Sequence, residues 1–520
     1  MTKPSAQAPT VQTTAGWVSG LIDEELGIRS WRGVPFGADT SGALRFRAPR
    51  PAEHWTGIRE CVHYGEPAPQ PTYSWTDRVL GDEDCLHLDI VRPDNEDADL
   101  PVVVYFHGGS FVVGSSFEPV LRGTNFAREL GVVYVSVNFR LGVLGYLDMR
   151  SIGDDAVATP ALHDQLLALH WVQDNIAAFG GDPGKVTIMG ESAGGGAVLT
   201  LMTAAGTQGL FHGAVAQSPP LAQIHSRAQS MMWTRKLVHH LALSRHAELS
   251  EIRELDAADL VRAGQSMMWR GDELLQLNSC FAPTVDGELL QSHPLTAFER
   301  GDEHPVPLII GTNADEASFG KFIYQRMSRR TRAAGRFLSV YDPAGAEAVL
   351  GAYDSATSRE EFASLLADAI FWAPTVRAAS AHSTIAPTWM YRFDYAPQAL
   401  KMLGLGAMHT VELSAVFGEP HASRAGTLSR FGGMNGFTEV AELMQSHWKS
   451  FLHGGQPLDS WPRYRQDGRQ TMVFDSEPSL ESDPKAEKRH AWEKFHMTSW
   501  GMGRPELTAE LGLEVVDGLE

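Results

Sequence analysis

The sequence predicts an α/β protein built on a large, mostly parallel sheet with helices on both faces. Three observations predict it. Short, continuous Val/Ile-rich runs recur along the chain, helical patterns fill the segments between them, and one such run passes through a sharp Gly-Ser turn into a helix-compatible stretch. With 520 residues, 43% hydrophobic and 20% charged, the chain has ordinary globular composition and ample core material. Large α/β enzymes of this length often fold as one unit, and no stretch is rich enough in Pro, Gly or Ser to mark a domain boundary.

Taken in order, residues 1–14 are polar and predict a flexible tail, and 15–503 predict a single domain. Within it, strands are expected at Val102–Phe106, Val132–Val137, Val186–Met189, Ala214–Gln217, Val306–Ile310 and Met390–Phe393. Helices are expected at Leu162–Ile176 and Gly196–Ala205. Two regions, around 221–300 and 317–385, read as helical insertions; the first is rich in Met and Trp, as in Met231-Met232-Trp233 and Met267-Met268-Trp269. The loops 66–82, 221–280 and 317–360 are expected to shape a pocket. The last stretch, 504–520, is an acidic C-terminal segment.

The net charge of −20 argues against a nucleic-acid partner and against an anionic membrane surface. Residues 1–10 lack the apolar core of a signal peptide, and no run approaches the ~18 apolar residues of a membrane span. Three cysteines, Cys61, Cys85 and Cys280, make no disulfide framework. A cytoplasmic protein is the expectation.

The chemistry centres on Gly190-Glu191-Ser192-Ala193-Gly194. The apolar run Lys185–Met189 leads in and a small-residue helical run leads out, which is the strand–turn–helix setting of a nucleophile elbow. The turn strains Ser192, so the residues two before and two after it must lack bulk; Ala193 then offers its N–H to a developing oxyanion. A second donor loop, His107-Gly108-Gly109-Ser110-Phe111, follows the strand at Val102–Phe106; its small residues let successive N–H groups face a concavity. After Val306–Ile310, either Asp315 or Glu316 could serve as the acid, and spacing does not choose between them. His409, after another strand and before an expected helix, is the candidate base. Gly184-Lys185 fails as a phosphate loop because Val186 stands where Ser or Thr is required, and the adjacent His239 and His240 would diverge on a helix.

These residues resemble the type-B carboxylesterases, the group that includes cholinesterases and bacterial para-nitrobenzyl esterases. The resemblance runs from about residue 14 to 495. It is carried by Arg32–Gly37, Arg45–Pro49, Glu83–Ile90, Val137–Gly142, Asp164-Gln165, Trp171-Val172 and Phe179–Pro183, followed by the elbow. It implies an α/β-hydrolase fold with lid insertions, and a serine hydrolase that cleaves small-molecule carboxylic esters through an acyl-enzyme, without metal or cofactor. It implies Ser192 as nucleophile, Glu316 as acid, His409 as base, and an oxyanion hole from Gly109, Ser110 and Ala193. It also implies buried ion pairs Arg45–Glu83 and Arg140–Asp164. The alternatives are a carbamate or amide hydrolase using the same triad, and a non-catalytic adhesion protein of the same fold.

Departures from the family pattern stand at Ser110, where Gly or Ala is usual, at His87, and at Pro219-Pro220. The cysteine that pairs with Cys85 in many relatives is replaced by Ala68, so that loop is unstapled unless Cys61 substitutes. Trp75 lies where cholinesterases carry a ligand-facing tryptophan.

Overall fold

The structure, a computed structural model, describes residues 8–72, 78–268, 279–420, 422 and 434–498. Its main sheet has eleven strands: β1 Leu21–Asp23, β2 Ile28–Pro35, β3 His87–Pro93, β4 Leu100–Phe106, β5 Val133–Val137, β6 Gly181–Glu191, β7 Gly213–Gln217, β8 Leu308–Asn313, β9 Thr388–Phe393, β10 Gln470–Phe474 and β11 Ser479–Ser482. Across the sheet they run β11-β10-β9-β8-β7-β6-β4-β5-β3-β2-β1. Every pairing from β5 to β10 is parallel, and the outer pairings are antiparallel. The expected mostly parallel sheet is therefore what forms.

The strand cores are apolar without interruption because both faces are covered. Val102, Val104 and Phe106 enter one core layer while Val103 and Tyr105 enter the other. The same alternation separates Ile188 from Met189 and Ile310 from Ile309. Strand β5 lies on one side of β4 and β6 on the other, so the connections leaving β4 and β6 diverge. Such a switch point opens a crevice at the carboxyl ends of the strands. Register places Gly190 opposite Phe106, which sets the ends of β4 and β6 level.

Helix α1, Pro160–Asn175, carries proline at its first position, where a missing N–H costs nothing. Helix α2, Ala193–Thr203, follows β6 directly. The two expected insertions are helical: Arg227–His240, Leu249–Arg253, Ala257–Met268 and Pro294–Arg300 in the first, and α3, Met327–Tyr341, with Pro343–Ala352, Arg359–Ala367 and Ala373–His382 in the second. No helix among the described residues is long and apolar enough to cross a membrane.

The expected tail over 1–14 is too long. Thr10–Gln12 pairs antiparallel with Trp17–Ser19 through a turn closed by the Thr13 N–H on the Gly16 carbonyl, and Trp17–Ser19 continues onto Ile58–Glu60. Polar composition alone suggested a tail, and a backbone hairpin overrides it. Residues 1–7, Trp75, Trp269 and the segment 504–520 lie outside the described residues.

Both ion pairs form. The Arg140 guanidinium makes two bonds to Asp164, at 2.8 and 2.6 Å, and its remaining donors reach the Arg47 and Pro160 carbonyls. Arg45 grips Glu83 with two bonds of 2.6 Å and donates to the Arg253 and Leu255 carbonyls, tying the first insertion to the N-terminal region. Cys61 and Cys85 are free and buried, so Cys61 does not staple Cys85.

Candidate active site

Ser192 stands between β6 and α2 with φ 57° and ψ −124°, a region that side-chain-bearing residues rarely occupy. The turn is held by the Ser192 N–H on the Gln217 carbonyl at 2.9 Å and by the Gly196 N–H on the Ser192 carbonyl at 2.9 Å. The requirement for small neighbours is steric: a Cβ at Gly194 would lie 2.0 Å from the Phe106 carbonyl oxygen. Glycine there lets α2 press its first turn against the end of β4, so the helix N-terminus follows Ser192 directly.

Beyond β4 the chain runs through Gly109, Ser110 and Phe111, with φ of 119°, 55° and 64°. A Cβ on Gly109 would meet the Val113 carbonyl oxygen at 1.9 Å, so only glycine fits. The Gly109 carbonyl accepts the N–H groups of Val112 and Val113, closing the turn, and buried Phe111 packs on Tyr146 with ring centroids 4.7 Å apart. The Ser110 side chain is exposed. The loop passes close to the nucleophile candidate: a Cβ on Gly108 would meet Ser192 Cβ at 3.1 Å.

His409 lies between the other two sequence candidates. Its Nε2 is 2.8 Å from Ser192 Oγ and its Nδ1 is 2.6 Å from Glu316 Oε2. It sits in the loop before the short helix Leu413–Val416, and a further helix, Gln398–Met402, separates it from β9. The Phe371 ring stacks on the imidazole at 4.5 Å, fixing its plane. The choice between Asp315 and Glu316 becomes geometric. Asp315 turns away and accepts the Ala407 N–H at 3.1 Å, while its own N–H reaches the Ala407 carbonyl at 3.0 Å. That clasp holds the loop carrying His409. Glu316, one residue on, faces the imidazole and also accepts from Ser218 Oγ at 2.5 Å and from the Asn313 N–H at 2.7 Å.

Two more buried carboxyl groups surround the imidazole, and sequence reasoning assigned neither. Glu191 Oε1 lies 3.3 Å from His409 Nε2 and has no hydrogen-bond partner among the described residues. Glu412 accepts from Asn313 Nδ2 at 2.6 Å. Burial raises the Glu191 carboxyl well above its ordinary range, and burial with nearby Glu316 raises Glu412 to about 7. Burial disfavours the charged imidazole, but Glu191 and Glu316 outweigh it and raise His409 above its ordinary value. Glu191 and His409 thus compete for one proton in a closed space. Ser218 was also missed as a contact of Glu316. Its φ of 46°, just past the end of β7, turns it onto the carboxylate, and no spacing in the sequence signals that.

The Carboxylesterase family profile matches residues 7–492. The para-nitrobenzyl esterase of Bacillus subtilis (strain 168) is 34% identical, covering 92% of this chain and 97% of that protein. The phenmedipham hydrolase of Pseudarthrobacter oxydans is 31% identical, over 90% of this chain and 95% of that protein. Among solved structures, a PNB esterase superposes with a TM-score of 0.83 at 31% identity, covering 94% of this chain and 100% of that one. The chain belongs to the Carboxylesterase family and is a carboxylic-ester hydrolase of the α/β-hydrolase fold.

Proposed function

We propose that Ser192 is the nucleophile, His409 the general base and Glu316 the acid that orients it, and that the N–H groups of Gly109, Ser110 and Ala193 form the oxyanion hole. The observation that carries the reading is the unbroken chain Ser192 Oγ–His409–Glu316, with links of 2.8 and 2.6 Å. Ser192 Oγ attacks the ester carbonyl carbon as His409 Nε2 takes its proton. The tetrahedral oxyanion then draws on preorganised backbone donors, each worth about 2.7–4 kcal/mol. The C–O bond to the alcohol breaks, and the alkoxide leaves with the proton from His409. Water repeats the sequence on the acyl-enzyme, releasing the acid and restoring Ser192. Throughout, Glu316 accepts the Nδ1–H of His409, which fixes the tautomer and steadies the imidazolium.

The substrate is a small-molecule carboxylic ester. The free thiols of Cys61 and Cys85 fit a reducing, cytoplasmic setting. The test is Ser192→Ala assayed on p-nitrophenyl esters of graded chain length. Turnover should fall by roughly four to six orders of magnitude with the fold intact, and near-wild-type hydrolysis by the folded variant would refute the assignment.

A further inference from the structure

We propose that the segment from Phe319 to Arg336, with the neighbouring tip at Met402-Leu403, docks the protein on an anionic lipid surface. Six of the thirteen exposed large apolar side chains among the described residues fall in these two stretches: Phe319, Phe322, Ile323, Met327, Met402 and Leu403. Phe322 is 56% exposed and Met402 80%. Apolar residues scattered singly over a surface are ordinary, whereas a contiguous group marks an interaction site. The two stretches are joined, because Lys321 Nζ donates to the Gly404 carbonyl at 2.8 Å.

Charge names the partner. Residues 317–341 hold six cations (Lys321, Arg326, Arg329, Arg330, Arg332, Arg336) and no carboxylate, in a chain of net charge −20. The carboxylates that bracket the segment, Glu316 and Asp342, are both buried. On α3, Arg329, Arg332 and Arg336 are spaced three and four apart and form one exposed stripe, with Arg326 continuing it by one turn. These four make no ion pair among the described residues. The opposite face of α3 is anchored by Ala334, Phe337 and Leu338, and by buried Arg330, which donates to the Tyr324, Gln325 and Thr357 carbonyls.

A basic stripe beside exposed aromatic and aliphatic side chains matches an interfacial segment, with arginines meeting headgroup anions and apolar tips entering the acyl boundary. The net charge of −20 counts against an anionic surface for the molecule taken as a whole, but charges beyond about 10 Å are screened at ordinary salt, so the local cationic stripe decides. A two-fold contact between copies would set this cationic stripe against itself, which disfavours self-association. Position gives the docking a use. Phe319 follows Glu316 by three residues, and Met402-Leu403 opens the loop that reaches His409. Both patches therefore belong to the carboxyl edge of the sheet that carries Ser192, and apolar esters dissolved in the surface would meet that edge. This last step rests on the proposed function; the docking itself does not.

The experiment is co-sedimentation of the full chain, without substrate, with vesicles of phosphatidylcholine alone or mixed with phosphatidylglycerol, at low and high salt. The protein should pellet with the mixed vesicles, remain in solution with phosphatidylcholine, and be released by salt. Arg329→Glu/Arg332→Glu/Arg336→Glu should lower partitioning by at least about 100-fold, from roughly 1 kcal/mol per arginine. Phe322→Ser/Ile323→Ser should weaken binding while leaving its salt dependence. Both variants should turn over p-nitrophenyl acetate like the wild type, which establishes that they are folded. Three results would overturn the proposal: wild-type protein left in solution with the mixed vesicles, variants that pellet as wild type does, or a concentration-dependent dimer abolished by these substitutions in a protein that ignores vesicles. Because no substrate is present, failure here is distinct from failure of the Ser192 assignment.

Discussion

At the scale of single residues, the proposed base His409 is enclosed by three carboxyl groups, and pH should read their contest. In the proposed mechanism only neutral His409 can accept the Ser192 proton. Its ionisation lies above the ordinary 6.5 because Glu191 and Glu316 outweigh its burial. Thus kcat/KM should hold at high pH and decline as pH falls through a midpoint above 6.5. Removing a carboxylate disfavours the imidazolium, so Glu191→Gln should move that acid limb to lower pH. A limb that stays in place in Glu191→Gln, or activity unchanged down to about pH 4, would contradict the account. Motif order and strand context single out Ser192 and His409 as candidates in the sequence, and the fold brings them within 2.8 Å of each other. Glu316 could not be separated from Asp315 by spacing: the two point in opposite directions from one turn, toward His409 and toward Ala407. Glu191 and Ser218 escaped because their partners are brought to them only by the folded sheet.

At the scale of elements, the sequence marks the buried centres of strands better than their ends. The run Val186–Met189 proves to be part of β6, Gly181–Glu191, whose early residues pass through a register shift before the apolar run begins. The outer strands β1, β2, β3, β10 and β11 were not anticipated, since polar residues interrupt their apolar pattern. Helix α2 was expected to begin at Gly196 but starts at Ala193. Three consecutive glycines look like a turn in a lone sequence, yet here their lack of bulk lets the helix start flush against β4. Gly194→Ala tests that contact. Its methyl would strike the backbone oxygen of Phe106, which cannot move cheaply, so the variant should lose about 1–3 kcal/mol in urea unfolding along with most of its turnover. Wild-type stability with wild-type turnover would show that the strand and helix do not need so close an approach.

At the scale of the molecule, the parallel sheet was legible from alternating apolar runs and helical patterns, while the hairpin from Thr10 to Ser19 was read in part as a tail. What couples distant parts is less visible in a sequence: buried ion pairs between segments far apart. Arg140 binds Asp164 on α1 and the carbonyl of Arg47, so one guanidinium clamps three regions. Arg140→Ala should cost about 3–5 kcal/mol in denaturant unfolding, because the Asp164 charge is left buried without its partner. A loss below about 1 kcal/mol, the range of exposed pairs, would mean the pair is not desolvated in solution.

The central claim is that three residues far apart in sequence meet at one edge of the sheet and activate Ser192. The most direct measurement is covalent labelling with a fluorophosphonate followed by peptide mass spectrometry. The account predicts a single phosphonyl adduct on Ser192, formed with loss of esterase activity, absent in Ser192→Ala and strongly slowed in His409→Ala. An enzyme that hydrolyses esters while Ser192 stays unlabelled, or that carries the adduct on another residue, would contradict it.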